Sequence, residues 1–311
     1  MSFRPMGGLR ESGEFAQPAY RLHLGVHKTA TTYIQTRLSL SETALIGAGI
    51  RTVLPEEFRG FYGLTHARNR QSRLQRWFRA RKGQSVLSRE LELIERSNPS
   101  SILISEENII GNSRQILRTG KVYHQAAERL RSLPSWLNDP RTEVFLAIRN
   151  YADFFASCHA QLVRGGDLRL WSDYPTERLM DLALRWQDLV DAIRYALPKA
   201  HITLWRYEDF VTLEADVLRR MTGRPASCLA ALQDRPMKSL TAEGIHRLVA
   251  MARARDVRPA DIAHIVDQTG TAKGFARYDP WSPTDRARLD DAYEADWRSL
   301  RVQSDLTILR P

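Results

Sequence analysis

Apolar residues in this chain gather in short unbroken runs, separated by longer stretches with helical spacing. Ile102-Leu103-Ile104 and Val144-Phe145-Leu146-Ala147-Ile148 do not alternate with polar residues, as expected of strands buried on both faces. The pattern predicts strands at residues 20–25, 50–54, 101–105, 143–148 and 201–205, with helices between them, among them 33–40 and 179–195. Alternating β and α elements predict an α/β fold, a parallel β-sheet flanked by helices, whose ligands sit at the carboxyl ends of the strands. After Trp205 the strand signal fades. Ile245, Leu248, Val249 and Ala252 share one face of a helix over 241–255, and Ser282-Pro283-Thr284-Asp285 has the form of a helix start. The stretch from about 212 to 311 is therefore expected to be helical.

The 311 residues suffice for one large core, so residues 20–311 are expected to form a single domain. Residues 1–19, with Gly7, Gly8, Gly13 and Pro18 among polar groups, read as a flexible tail. No internal repeat is visible. Cys158 and Cys228 are the only cysteines, too few for a disulfide framework or a zinc spacing. No signal-peptide pattern and no apolar run of membrane length occur, so a cytoplasmic protein is expected.

Charge adds a preference for anions. Lys and Arg number 46 against 36 Asp and Glu, a formal net charge of +10. From Gly60 to Ser88 there is no acidic residue, while Arg68, Arg70, Arg73, Arg76, Arg79, Arg81 and Lys82 crowd together, with Leu74, Trp77 and Phe78 at helical spacing. This predicts a basic helical excursion over about 60–98. It suits an anionic acceptor such as a glycan, peripheral contact with an anionic inner membrane surface, or a solvated helix packed through Trp77. Nucleic acid is not expected, since no recognition motif accompanies the charge.

The chemistry concentrates where the first strand ends. Leu22-His23-Leu24-Gly25-Val26 leads into His27-Lys28-Thr29-Ala30-Thr31-Thr32, and a helix follows at once. A strand–loop–helix of this kind aims backbone N–H groups and a helix N-terminus at one point, an oxyanion site to which Lys28 adds a point charge. It is not the loop of nucleoside triphosphatases, because no glycine precedes the Lys and no carboxylate cluster follows to hold Mg²⁺. The plainer alternative is a Lys and several Thr that merely cap a helix.

His27-Lys28-Thr29-Ala30-Thr31-Thr32 resembles the 5′-phosphosulfate loop of sulfotransferases, written Pro-Lys-x-Gly-Thr-Thr, and in many bacterial members His-Lys-Thr-Gly-Thr-Thr. Only Ala30 departs, standing where Gly is usual. Arg149, just after the strand 143–148, with Ser157 eight residues on, resembles the family's 3′-phosphate pair; Tyr151 replaces its usual Pro. Arg206-Tyr207-Glu208-Asp209 resembles a segment whose Tyr lies against the adenine. Ala272-Lys273-Gly274-Phe275 is a looser echo of the late loop over the 3′-phosphate. Ser105-Glu106-Glu107-Asn108 resembles the bacterial Ser-x-Glu-Asn segment.

The resemblance implies a P-loop-type fold and a sulfotransferase using 3′-phosphoadenosine 5′-phosphosulfate, without a metal. The acceptor would be a hydroxyl or amine of a glycan, lipid headgroup or small metabolite. Lys28 would stabilise the leaving phosphate, and the loop residues 27–32 would hold it. Arg149 and Ser157 would hold the 3′-phosphate, with Lys273 and Gly274 closing over it, and Tyr207 the base. Glu107 is the candidate general base, its pKa raised by Glu106 alongside; His27 is the alternative. A small-molecule kinase and a binding module without catalysis are the competing classes.

Overall fold

The computed structural model describes residues 19–62, 88–90, 92–232 and 240–311. The basic run 68–82 and residues 1–18 of the expected tail lie outside them. Six strands, β1 Ala19–Gly25, β2 Ile50–Val53, β3 Ser101–Ser105, β4 Thr142–Ile148, β5 His201–Arg206 and β6 Leu306–Ile308, form one sheet in the order β2-β3-β1-β4-β5-β6. Every neighbouring pair is parallel. The expected α/β sheet flanked by helices is thus the observed architecture.

Both faces of the sheet are covered, which is why its central strands carry apolar residues on both sides. On one face Leu22, Leu24, Ile102, Ile104, Val144 and Leu146 pack with Tyr151, Phe154 and Phe155 of the helix Tyr151–Arg164 and with Trp186 and Val190 of Trp186–Ala196. On the other, Leu103, Phe145, Ala147 and Trp205 meet Ile34 and Leu38 of Thr31–Leu40 and Leu213 and Val217 of Phe210–Thr222. A third cluster joins the helices Ala242–Ala254 and Pro259–Gln268 to Val163.

The order of strands sets where a ligand can enter. From β1 the chain crosses to β2 on one side, and from β4 to β5 on the other. The connections therefore part between the carboxyl ends of β1 and β4, the crevice where open parallel sheets bind ligands.

Two local features differ from the sequence pattern. Residues 179–195 are not one helix: Thr176–Asp181 ends, Leu182 turns left-handed at φ 44°, and Trp186–Ala196 begins anew. The restart is held by partners distant in sequence, since the Trp186 N–H donates to the Tyr151 hydroxyl at 2.7 Å and to Asp296 Oδ2 at 3.3 Å. At the far end β6 adds a strand of three residues beyond the long helix Pro283–Leu300. Three residues are too few for any period to register. Among the described residues no helix is long and apolar enough to cross a membrane.

Candidate functional site

Gly25 ends β1 at φ 88°, and the chain turns through Val26 into the loop. A Cβ added at Gly25 would lie 3.0 Å from Glu107 Cβ and 3.1 Å from Thr31 Cγ2, so only glycine lets these three segments meet. Thr29 is fully buried and its hydroxyl donates to the Val26 carbonyl at 2.6 Å, bracing the loop from within. Lys28 and Ala30 both lie in the left-handed region, at φ 66° and 63°. Ala30 is the N-cap of Thr31–Leu40 and supplies no side-chain cap. Among the described residues the amides of residues 28–33 have no protein acceptor, and they gather at a helix N-terminus. Thr31 is buried against Gly25, and Thr32 is exposed.

The alanine at position 30 carries a Cβ in a conformation that disfavours it. Ala30→Gly is expected to stabilise the protein by about 0.5–1 kcal/mol, the left-handed cost of ~1–2 kcal/mol less glycine's extra unfolded-state entropy. Urea unfolding of the two proteins measures it, and a less stable glycine variant would contradict the account.

Arg149, at the end of β4, reaches across the crevice. Its Nη1 donates to the Lys28 carbonyl at 2.7 Å, and its guanidinium lies 4.6 Å from the centre of the Tyr207 ring. Its Nε is buried with no partner among the described residues. The backbone behind it is tied down as well, since Trp186 Nε1 donates to the Arg149 carbonyl at 2.9 Å. Lys28 and Arg149 form no ion pair among the described residues. Burial pushes the Lys28 ammonium below its ordinary pKa, and Arg149 and Arg164 push it the same way. Two cations thus share a crevice with a row of unused amides. Glu107 and Cys158 act on Lys28 in the opposite direction, but neither forms a salt bridge with it among the described residues.

Ser157 lies two turns along Tyr151–Arg164, half-buried, with no protein partner for its hydroxyl among the described residues. Cys158 beside it is fully buried, and burial pushes its thiol up to about 11. Tyr207 follows β5 and meets the site through Arg149. Lys273 and Gly274 are exposed, and no hydrogen bond or ion pair links them to Arg149 or Ser157. The structure therefore brings residues 27–32, Arg149 and Tyr207 together, and among the described residues no bond joins the late loop to them.

The carboxyl end of β3 supplies the acids. Glu106 is fully buried and is held by Arg59, Nε to Oε2 at 2.6 Å and Nη2 to Oε1 at 3.0 Å. Asn108 adds its backbone N–H at 2.8 Å and Nδ2 at 2.6 Å to the same carboxylate. Glu107 accepts from Gln35 Nε2 at 2.9 Å and stands 3.7 Å from Arg59 Nη2. Arg59 thereby answers the like charge that adjacency alone led us to expect between the two acids.

Because Asn108 gives its Nδ2 to Glu106, its Oδ1 faces His27 Nε2, at 3.3 Å. Nε2 then carries the ring proton, and Nδ1 accepts from the Tyr123 hydroxyl at 2.7 Å. The same hydroxyl accepts the His27 backbone N–H at 3.0 Å. Burial lowers His27 to about 4 despite its hydrogen bond to Asn108. Each nitrogen of this imidazole is engaged, and the ring anchors the start of the loop.

No protein-family model matches the chain, and no curated protein sequence matches it. Among solved structures it is similar to a sulfotransferase from Alicyclobacillus acidocaldarius. That likeness has a TM-score of 0.36 at 13% identity, covering 81% of this chain and 96% of that one. At so low a score it decides nothing about the site, which stands on its own geometry. Among the described residues no group of three or more His, Cys, Asp or Glu is arranged to hold a metal ion.

Arg59, Tyr123, Gln35 and Trp186 belong to the site and had no motif to announce them. Arg59 and Tyr123 reach it from a helix and a turn far from the loop in sequence, and only the fold makes them neighbours. Their buried partners also set an acid limit. His23 and His27 are each lowered by burial to about 4 from 6.5. Between those values the unfolded chain binds more protons than the folded one. Their stabilisation is complete above pH 6.5 and is lost as pH falls toward 4. Urea midpoints should drop across this window, and His23→Leu should flatten the slope; a wild-type midpoint constant from pH 7 to about 4.5 would contradict it.

Proposed function

We propose that the protein is a sulfotransferase that moves the sulfuryl group of 3′-phosphoadenosine 5′-phosphosulfate to a hydroxyl or amine of an acceptor. The observation that carries this is the meeting of Lys28 and Arg149 at one switch point, joined by the 2.7 Å contact and lacking a carboxylate partner among the described residues. A nucleotide with an anionic group at each end suits two such cations. The orphaned Nε of Arg149 fits a phosphate acceptor, and the free amides of residues 28–33 fit the 5′ end.

In this reading the acceptor oxygen attacks sulfur as the bond from sulfur to the bridging oxygen breaks, and the 5′-phosphate leaves with that electron pair. Lys28 and the loop amides stabilise the charge on the departing oxygen. Glu107 takes the acceptor proton. We assign this to Glu107 over His27, because both His27 nitrogens are committed to Tyr123 and Asn108. Ser157 adds a hydroxyl to the 3′-phosphate, Tyr207 lines the base, and Lys273 with Gly274 covers the 3′-phosphate. The two departures from the family pattern find support in their surroundings. The left-handed backbone at residue 30 is kept despite its Cβ, and Tyr151 replaces proline to hold the Trp186 that ties down Arg149.

Thermal shift and titration calorimetry test the nucleotide. Stabilisation by 3′,5′-bisphosphoadenosine and not by ATP with Mg²⁺ is expected, and no binding at millimolar concentration would sink the reading. Glu107→Gln is expected to lower turnover by about 10²–10⁴-fold with nucleotide affinity nearly unchanged. Intact turnover with normal binding would remove Glu107 from its role. The acceptor class is best sought among glycans, lipid headgroups and small metabolites, with the basic run 68–82 as the segment to delete first.

A further inference from the structure

Behind Glu107 a line of polar side chains crosses from the helix Thr31–Leu40 to β3 and β1. Gln35, in the second turn of that helix, donates from Nε2 to Glu107 Oε2 at 2.9 Å and to Ser105 Oγ at 3.3 Å. Ser105 is fully buried, and its hydroxyl lies 2.8 Å from Nδ1 of the equally buried His23. His23 stacks on Trp205, and its ring Nε2 has no hydrogen-bond partner among the described residues.

With the Ser105 hydroxyl donating to His23 Nδ1, every contact along this line pairs a donor with an acceptor, and only His23 Nε2 is left without a partner among the described residues. Ser105 has a single hydrogen, and Nδ1 of a neutral His23 is the acceptor within reach. Its oxygen then has only lone pairs to offer Gln35. Gln35 presents its NH₂ end, which meets Glu107 as a second donor contact. A carboxylate accepts there; a carboxylic acid with its proton on Oε2 does not.

We infer that Gln35 is a positioning residue for Glu107, holding its carboxylate in one orientation through the amide that also contacts Ser105. The catalytic consequence rests on the reading of Glu107 as the base; the positioning itself does not. The same helix carries the loop amides at its N-terminus and Gln35 one turn in, so the anion site and the acid are set by one rigid element.

Other charged or titratable groups face Glu107. They are Lys28 from the loop, Arg59 at 3.7 Å from the helix Pro55–Tyr62, Glu106 beside it under Arg59, and Tyr123, which burial keeps well above its ordinary pKa. All remain in a Gln35 variant, so a change in Glu107 titration reports Gln35.

The experiment labels glutamate side chains with ¹³C and follows carboxyl shifts against pH in the full chain, with Glu107→Gln to identify the signal. In Gln35→Met the Glu107 midpoint is expected to rise by about half to one pH unit, because a hydrogen bond to the charged form is lost. Gln35→Glu should raise it further, and Ser105→Ala should move it the same way by less. Circular dichroism checks that each variant is folded, and Ser105→Ala gives the same reading if Gln35→Met does not fold. An unmoved midpoint in folded variants overturns the inference, whatever the activity. If the midpoint moves and the acidic limb of the kcat profile moves with it, both positioning and base stand. If it moves while turnover and its pH profile do not, the positioning stands and Glu107 as base falls.

Discussion

Lys28→Met is expected to lower sulfuryl transfer about 10³-fold, the loss typical of removing one charge stabiliser from a site where negative charge develops. It should also make the ligand-free protein more stable, by about 1 kcal/mol, because a half-buried cation with no salt bridge among the described residues is exchanged for an apolar chain of similar length. The two effects have one cause. Burial, Arg149 and Arg164 disfavour the ammonium until an anion arrives. Steady-state turnover and thermal melting without ligand check both, and turnover within tenfold of wild type would contradict the assigned role.

Arg59→Met is expected to cost about 3 kcal/mol of stability. Glu106 is fully buried, and Arg59 is its only ionic partner among the described residues, so the variant strands a charge in the interior. Breaking such a pair costs roughly 3–5 kcal/mol, and partial exposure of Arg59 sets the value toward the low end. Adding Glu106→Gln to the variant should return much of the loss, because the amide needs no counter-charge and keeps the shape. Urea unfolding of the two single variants and the double variant measures the coupling. Additive losses would show that the two side chains are independent. Nucleotide binding should weaken in parallel, since Glu106 orients Asn108, Asn108 orients His27, and His27 anchors the loop.

The parts of the site that were legible are those contiguous in sequence. Residues 27–32 lie on one strand–loop–helix, so their spacing alone implied converging amides. Arg149 could be placed at the same edge because it follows a strand too apolar to be anything but central. Glu107 was legible as an acid after a strand, but its surroundings were not. Glu106, adjacent in sequence, appeared to be its electrostatic neighbour, whereas Arg59 from a separate helix takes that charge. The partner of His27 Nδ1 was not legible either, because Tyr123 lies 96 positions away. Residues 179–195 read as one helix because their apolar spacing is continuous; what breaks it is a hydroxyl and a carboxylate from elsewhere in the fold.

Taken alone, the chain's order of residues determined the alternation of strands and helices, the burial of the sheet on both faces and the location of the strand–loop–helix turn at residues 25–32. These follow from periodicity, backbone preference and the chemistry of neighbouring groups, all of which act over a few residues. Tertiary structure decided the partners: which guanidinium neutralises Glu106, which hydroxyl orients His27, which amide holds Glu107, and that Lys28 and Arg149 share one crevice. Those contacts span 72 to 121 positions for Gln35–Glu107 and Arg149–Lys28. Hydrogen bonds and ion pairs act over a few ångströms of space, and distance along the chain does not reveal which groups the fold brings within that range.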